Sequence, residues 1–484
     1  MARRTRFGFL TALALAIACV TVLGPAGIAE PKDPAPVVTT LYHRDPGHLW
    51  NRVHAALLIR VGPDGRAYGE DRLEPLLWGE SQYLLRGSSA DRAVAALEEF
   101  VPDKGERLID DPVKRAVLQR DLWLVFNWLS GQGDGPERKR LGDLVATAIR
   151  RVALTPDQIA KLPDNYAVAV ASRRFADRFD PERPELSYLP PDVMKPDGPW
   201  VCVGRTNGPA APQHLAEGGG NRFTNSMFLV FLKFPAGRDA ALDFLKRLAT
   251  FDKPLYVANT DEKSSRFLPN LPNQDLPQWP RGTEVALVRR AMLIDSNGRV
   301  VASPLTESVQ LRVMRTDTPA MTAKTVEELY RLPGGAPDAQ AFFEFRLRRA
   351  ALFAGDAGGL RDESGERDFK TGFNAHPWDE FGDGTSPANR SRPFPERGQP
   401  FKNNRASCLG CHQHPGVYSF NSFHGDFPFT VGRKLTDGRD GSYVPKSYSL
   451  APMPVEKVER AAVKWKEGRP GWEALRKLLP DVPR

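Results

Sequence analysis

Between residues 30 and 178 apolar positions recur at the spacing of helices. The window 46–60 opens with a turn and continues through Leu49, Trp50, Val53, Ala56 and Leu57, and a second window, 90–101, has Ser88 or Ser89 as its cap. Asp111 followed by Pro112 marks another start, because the aspartate can accept from the free N–H groups of a first turn and proline needs no partner there. Beyond it Val113, Val117, Leu118, Leu122, Trp123, Val125, Phe126 and Leu129 are apolar almost all round. Such a helix is expected at the centre of a core. A window at 136–152 follows, and Thr155-Pro156-Asp157-Gln158 repeats the cap-plus-proline start.

The stretch 179–199 holds six prolines and no periodicity, and reads as a domain boundary or a strap laid over the surface. Strand patterns then take over at 200–204, 225–234, 285–294 and 300–313. The last two flank Asp295-Ser296-Asn297-Gly298, a hairpin turn. Helices are expected at 239–250 and 339–353. The fold class is therefore α+β and multidomain: a helical N-terminal domain (30–178), a Pro-rich connection (179–199), an α+β middle domain (200–353), a Gly/Pro-rich linker (354–399) and a small, mainly α C-terminal segment (400–484).

The beginning of the chain adds a compartment. Arg3, Arg4 and Arg6 precede an apolar run at 7–22, and Gly27-Ile28-Ala29 offers small residues where a signal peptidase reads, so 1–29 is a signal peptide with cleavage expected before Glu30. Periplasmic or otherwise exported localisation follows. The rival reading is lipid attachment at Cys19, although the leucine usual in that pattern is missing. No transmembrane segment is expected after the signal is removed. The remaining 455 or so residues, in a chain that is 41% hydrophobic, suffice for two or three domains with cores.

The net charge of +8 falls to +5 without the three signal arginines. In 396–484 fifteen Lys and Arg stand against nine Asp and Glu, so the basic excess lies at the C-terminal end. No nucleic-acid partner is expected. Of the four cysteines, Cys19 leaves with the signal, which rules out a disulfide-stapled fold. Cys202, set in Trp200-Val201-Cys202-Val203, reads as a buried strand residue.

Cys408-Leu409-Gly410-Cys411-His412 carries the chemistry. Two thiols two residues apart, followed at once by an imidazole, form the c-type haem attachment pattern: each cysteine adds to one vinyl group and the histidine is held beneath the iron. Zinc is the competing reading, with His412, His414 or His424 completing the ligands, but the usual second pair is missing. A thioredoxin-like redox pair would open a helix after a strand, whereas here Pro415-Gly416 follows.

On these residues the chain resembles c-type cytochromes, in particular large secreted bacterial proteins with one cytochrome c-like segment at the C-terminus. The likeness is firm at Cys408, Cys411 and His412 and loose over 400–470. It implies covalent haem c, thioether links at Cys408 and Cys411, and His412 as the proximal iron ligand. In small cytochromes c a Met-Pro pair beyond the motif supplies the distal ligand; here Met453-Pro454 stands 41 residues past His412, before an apolar stripe of Val455, Val458, Ala462 and Trp465. Met453 is one distal candidate, with a packing residue as its plain alternative, and His424 is the other. No amphipathic helix precedes the motif, which departs from the family pattern.

Electron transfer to a redox partner, acidic if the basic excess surrounds the haem, is the function the resemblance implies. The alternatives are a peroxidase-like or other haem oxidoreductase with an open distal site, and a secreted binding protein with a structural Cys/His zinc site. Other motifs have simpler readings. Gly218-Gly219-Gly220-Asn221-Arg222 is a loop, His43, His48 and His54 are surface or packing residues, and the acidic run Asp379-Glu380-Phe381-Gly382-Asp383-Gly384 lacks calcium-loop spacing.

Overall fold

The computed structural model describes residues 37–364, apart from 62–66, 74–82, 86, 206–207, 216–223, 254–255, 264, 266–269, 321, 323, 326–327 and 329–338, together with 370–373, 401–403, 416–417 and 450–479. Six helices come first: α1 (Leu49–Leu58), α2 (Gly87–Phe100), α3 (Pro112–Ser130), α4 (Pro136–Arg151), α5 (Pro156–Ala160) and α6 (Asn165–Ala171). Their starts follow local chemistry. Asp111 accepts from the N–H groups of Val113 and Lys114 at 2.8 and 3.1 Å. At α5 the Thr155 hydroxyl and the Gln158 side chain satisfy each other's backbone N–H groups in a capping box.

The α+β character is carried by a seven-stranded sheet of β1 (Val201–Arg205), β2 (Ser226–Lys233), β3 (Glu284–Ile294), β4 (Val300–Met314), β5 (Gln340–Leu347), β6 (Leu360–Asp362) and β7 (Leu450–Pro452). Its order is β6-β5-β4-β3-β2-β1-β7, and every neighbouring pair is antiparallel. Between β3 and β4 the Asp295 carboxylate accepts from the N–H groups of Asn297 and Arg299, both at 2.9 Å, and Gly298 takes φ +72°. Helix α7 (Arg238–Ala249) connects β2 to β3, α8 (Arg349–Phe353) follows β5, and α9 (Val455–Glu467) and α10 (Pro470–Leu478) come last.

The helix expected at 339–353 is corrected: its first half is strand β5 and only its end is helical. Ala341, Phe343, Phe345 and Leu347 alternate rather than recur at 3.6, and all four are buried in a strand that lies between β4 and β6. The proline-rich stretch is a strap. Tyr188, Leu189 and Val193 are buried, Ala176 bridges to Tyr188, and the Tyr188 hydroxyl donates to Glu284 at 2.8 Å.

Helices and sheet share their cores. One cluster unites Val309, Leu311, Phe343 and Phe345 of the sheet with Tyr166 and Ala169 of α6 and Val117 of α3. Another unites α1 to α4 with Met227, Met292 and Ile294 of the sheet and with Trp472 and Leu475 of α10. Each large apolar side chain so buried contributes roughly 1.5–3 kcal/mol. Among the described residues no helix is long and apolar enough to cross a membrane.

Candidate functional site

The chain leaves the sheet at one edge, β6, and rejoins it at the other, β7; the Cys408–His412 motif lies on the stretch between them. Cys408, Cys411, His412, His414 and His424 fall outside the described residues. The expected signal peptide (1–29) with Cys19, the glycine-rich run 218–222 and the acidic run 379–384 fall outside them too.

Described backbone brackets the motif on both sides. Phe401–Asn403 ends five residues before Cys408 and pairs antiparallel with Lys370–Phe373, Asn403 opposite Lys370 and Phe401 opposite Phe373. Four residues after His412 the chain is buried again: Val417 is 0% exposed, inside the cluster that holds the sheet and α6. The Val417 N–H donates to Gln278 Oε1 at 3.2 Å, and Gln278 is itself oriented by donating Nε2–H to the Leu276 carbonyl at 3.1 Å. Gly416 has φ +59°, and a Cβ there would fall 2.1 Å from Thr318 Oγ1 and 2.4 Å from Gln278 Oε1. The left-handed conformation favours glycine, and any larger residue would have to displace the two side-chain ends.

Met453 is described. Its N–H donates to the Cys202 carbonyl at 3.0 Å, and its half-buried thioether packs over Gly204, where a Cβ would fall 2.6 Å from Sδ and 3.0 Å from Val458 Cγ2. Beyond it the apolar stripe forms one side of α9, with Val458 and Ala462 buried and Trp465 packed near Ala211, Leu215 and Phe228. Cys202 is a buried free thiol. Burial first, then the charges of Glu459 and Glu456, push it up to about 12, so it stays protonated and inert.

The densest electrostatic feature among the described residues escaped the sequence reading. Asp121, on α3, accepts from Arg349 Nη2 at 2.8 Å (Oδ1) and 2.9 Å (Oδ2), from Arg349 Nε at 3.1 Å and from Arg120 Nη1 at 3.2 Å. Arg120 Nε donates to Glu307 Oε1 at 2.7 Å, Arg289 Nε lies 3.2 Å from Glu307 Oε2, and the Ser226 hydroxyl donates to that same oxygen. All these side chains are buried. Burial raises the pKa of both carboxyls, but Arg349 and Arg120 at Asp121, and Arg120 and Arg289 at Glu307, overcome it and hold both below the usual range. His54 Nδ1 lies 3.9 Å from Asp121, and burial, aided by Arg349, lowers its pKa to about 3.

The cluster ties α3 to β2, β3, β4 and α8. The sequence signal was a charged pair, Arg120-Asp121, inside an apolar helix. Among the described residues no group of three or more His, Cys, Asp or Glu side chains could hold a metal ion. Comparison with protein-family models, with curated proteins and with solved structures finds no match.

Proposed function

We propose that this chain is an exported, single-haem c-type cytochrome-like protein that works in electron transfer. The pentapeptide Cys408 to His412 is the observation that carries the reading: its thiols would hold haem c by thioethers and its imidazole would be the proximal iron ligand. When bound, the haem supplies a one-electron couple at its iron. The chain's own part is to hold that couple and keep it from rearranging. Supporting this, described backbone flanks the motif on either side, paired with Lys370–Phe373 at Phe401–Asn403 and buried at Gly416 and Val417. The fifteen Lys and Arg of 396–484 fit an acidic redox partner met outside the cytoplasm.

A second reading has one observation in its favour. The Met453 thioether already has a seat over Gly204 and against Val458, which supports packing rather than iron binding. That leaves His424 or an open position opposite His412, and an open position suits a peroxidase-like oxidoreductase. Optical redox titration of the purified exported protein tests both. A reversible one-electron transition without carbon monoxide binding supports the electron carrier; tight carbon monoxide binding by the reduced protein favours the enzyme; no redox-active chromophore refutes both.

A further inference from the structure

Resting on the haem reading, we infer that Gly416 and Val417 are the joint that positions the Cys408–His412 segment, with Gln278 and Thr318 as its socket. The joint sits where a positional element must. Four residues of chain span at most about 14 Å, so the backbone of His412 cannot stray further than that from Gly416. Whatever fixes Gly416 therefore limits where the proximal imidazole can stand. Gly416 is flanked on two sides by the side-chain ends of Thr318 and Gln278, which an added Cβ would have to displace.

The socket is built from the ends of the two longest strands. Gln278 lies six residues before β3 and Thr318 four residues after β4, and these strands pair along most of their length. The loops that carry them are tied together, since the Gly282 N–H donates to the Met314 carbonyl at 2.7 Å and the Arg281 N–H to the Asp317 carboxylate at 3.2 Å. Gln278 thus presents Oε1 from a scaffold that cannot easily give. Val417 adds an apolar plug at 0% exposure, inserted in the cluster that also holds Leu276 and Trp279. A left-handed glycine followed by a buried valine makes a joint of one conformation.

Attachment of haem needs only the thiols and the imidazole. The joint should therefore leave haem content alone and set the environment of the iron. The test uses full-length exported protein carrying Gly416→Ala, Gln278→Ala or Gln278→Glu; the last keeps an acceptor oxygen for the Val417 N–H at a half-buried position. Haem per chain, far-ultraviolet circular dichroism, visible spectrum and midpoint potential are measured for each.

Expected are wild-type haem content and fold in all three, a shifted potential and altered spectrum in Gly416→Ala and Gln278→Ala, and return toward wild type in Gln278→Glu. Folded, loaded Gly416→Ala and Gln278→Ala proteins with the wild-type spectrum and potential overturn the inference while leaving the haem reading intact. A wild-type protein without haem overturns the haem reading itself, and the inference with it. Should Gly416→Ala fail to fold, the two Gln278 variants decide alone: a shift in Gln278→Ala that Gln278→Glu restores supports the joint, and no shift in either refutes it.

Discussion

Replacing Asp121 by alanine should be among the most damaging single changes in the described part of the chain. The carboxylate accepts three hydrogen bonds from Arg349 and one from Arg120, all between 2.8 and 3.2 Å, at a site closed to water. Without it two buried guanidinium groups lose their shared carboxylate, Arg120 keeping Glu307 and Arg349 keeping the Glu70 and Arg72 carbonyls. Breaking one partner of such a buried pair costs about 3–5 kcal/mol, because the charge left behind keeps its desolvation penalty. That is a large share of the 5–15 kcal/mol that holds a typical domain folded.

Loss of Asp121 and loss of Arg349 should not be additive. In Asp121→Leu/Arg349→Met both charges of the pair are gone, so the double variant should be less destabilised than the sum of its singles by at least about 1 kcal/mol. Urea unfolding followed by far-ultraviolet circular dichroism and tryptophan fluorescence measures all of these. An Asp121→Ala protein within about 1 kcal/mol of wild type, or strict additivity in the double variant, would refute the account of a charge network that holds α3 to the sheet.

Three further outcomes follow from particular residues. His54 is held neutral to about pH 3 in the folded chain, while the unfolded chain takes up a proton below about 6.5, so stability should fall as pH drops through that window, by about 1.6 kcal/mol between pH 6.5 and 5. Denaturation midpoints across that range check it, and a His54→Asn variant should lose less; an equal loss in both proteins would assign the effect elsewhere. Gly358→Ala should cost more than about 2 kcal/mol, since φ is +61° and the new Cβ would lie 1.9 Å from the Asn165 carbonyl oxygen; thermal unfolding measures it, and an unchanged midpoint would contradict the geometry. Met453→Ala should leave the visible spectrum of the haem-loaded protein unchanged while lowering its stability, whereas a changed axial signature would make Met453 the distal ligand after all.

Local patterns were legible where a few neighbouring residues decide the outcome. The Asp111-Pro112 and Thr155-Pro156 starts, the turn at 295–298 and the apolar stripe of α9 all appear with the expected residues. The failure at 339–353 shows the limit. A run such as Ala341-Phe342-Phe343-Glu344-Phe345 offers apolar residues to either period, and only the presence of β4 alongside selects the strand. Strand β7 was not foreseen because its three residues gain their meaning from pairing with β1, roughly 245 residues earlier.

The charge cluster was invisible for the same reason. Arg120 and Asp121 stand out in an apolar helix, but Arg289, Glu307 and Arg349 lie some 170–230 residues away, and pairing over such distances leaves no periodic trace. The Cys408–His412 motif is the opposite case. The haem attachment proposed for it rests on five consecutive residues and needs no fold to be recognised, whereas the socket at Gln278 and Thr318 emerges only once the chain is folded.

Covalent haem is the claim on which the functional account stands, and it can be measured directly. The chain, exported from a host that carries haem-attachment machinery, is denatured, separated by electrophoresis, stained for haem and weighed intact, alongside Cys408→Ala/Cys411→Ala. The account predicts one haem per wild-type chain, surviving denaturation, and none on the double variant. A wild-type chain that carries no covalent haem under these conditions, or one zinc ion in its place, would contradict it.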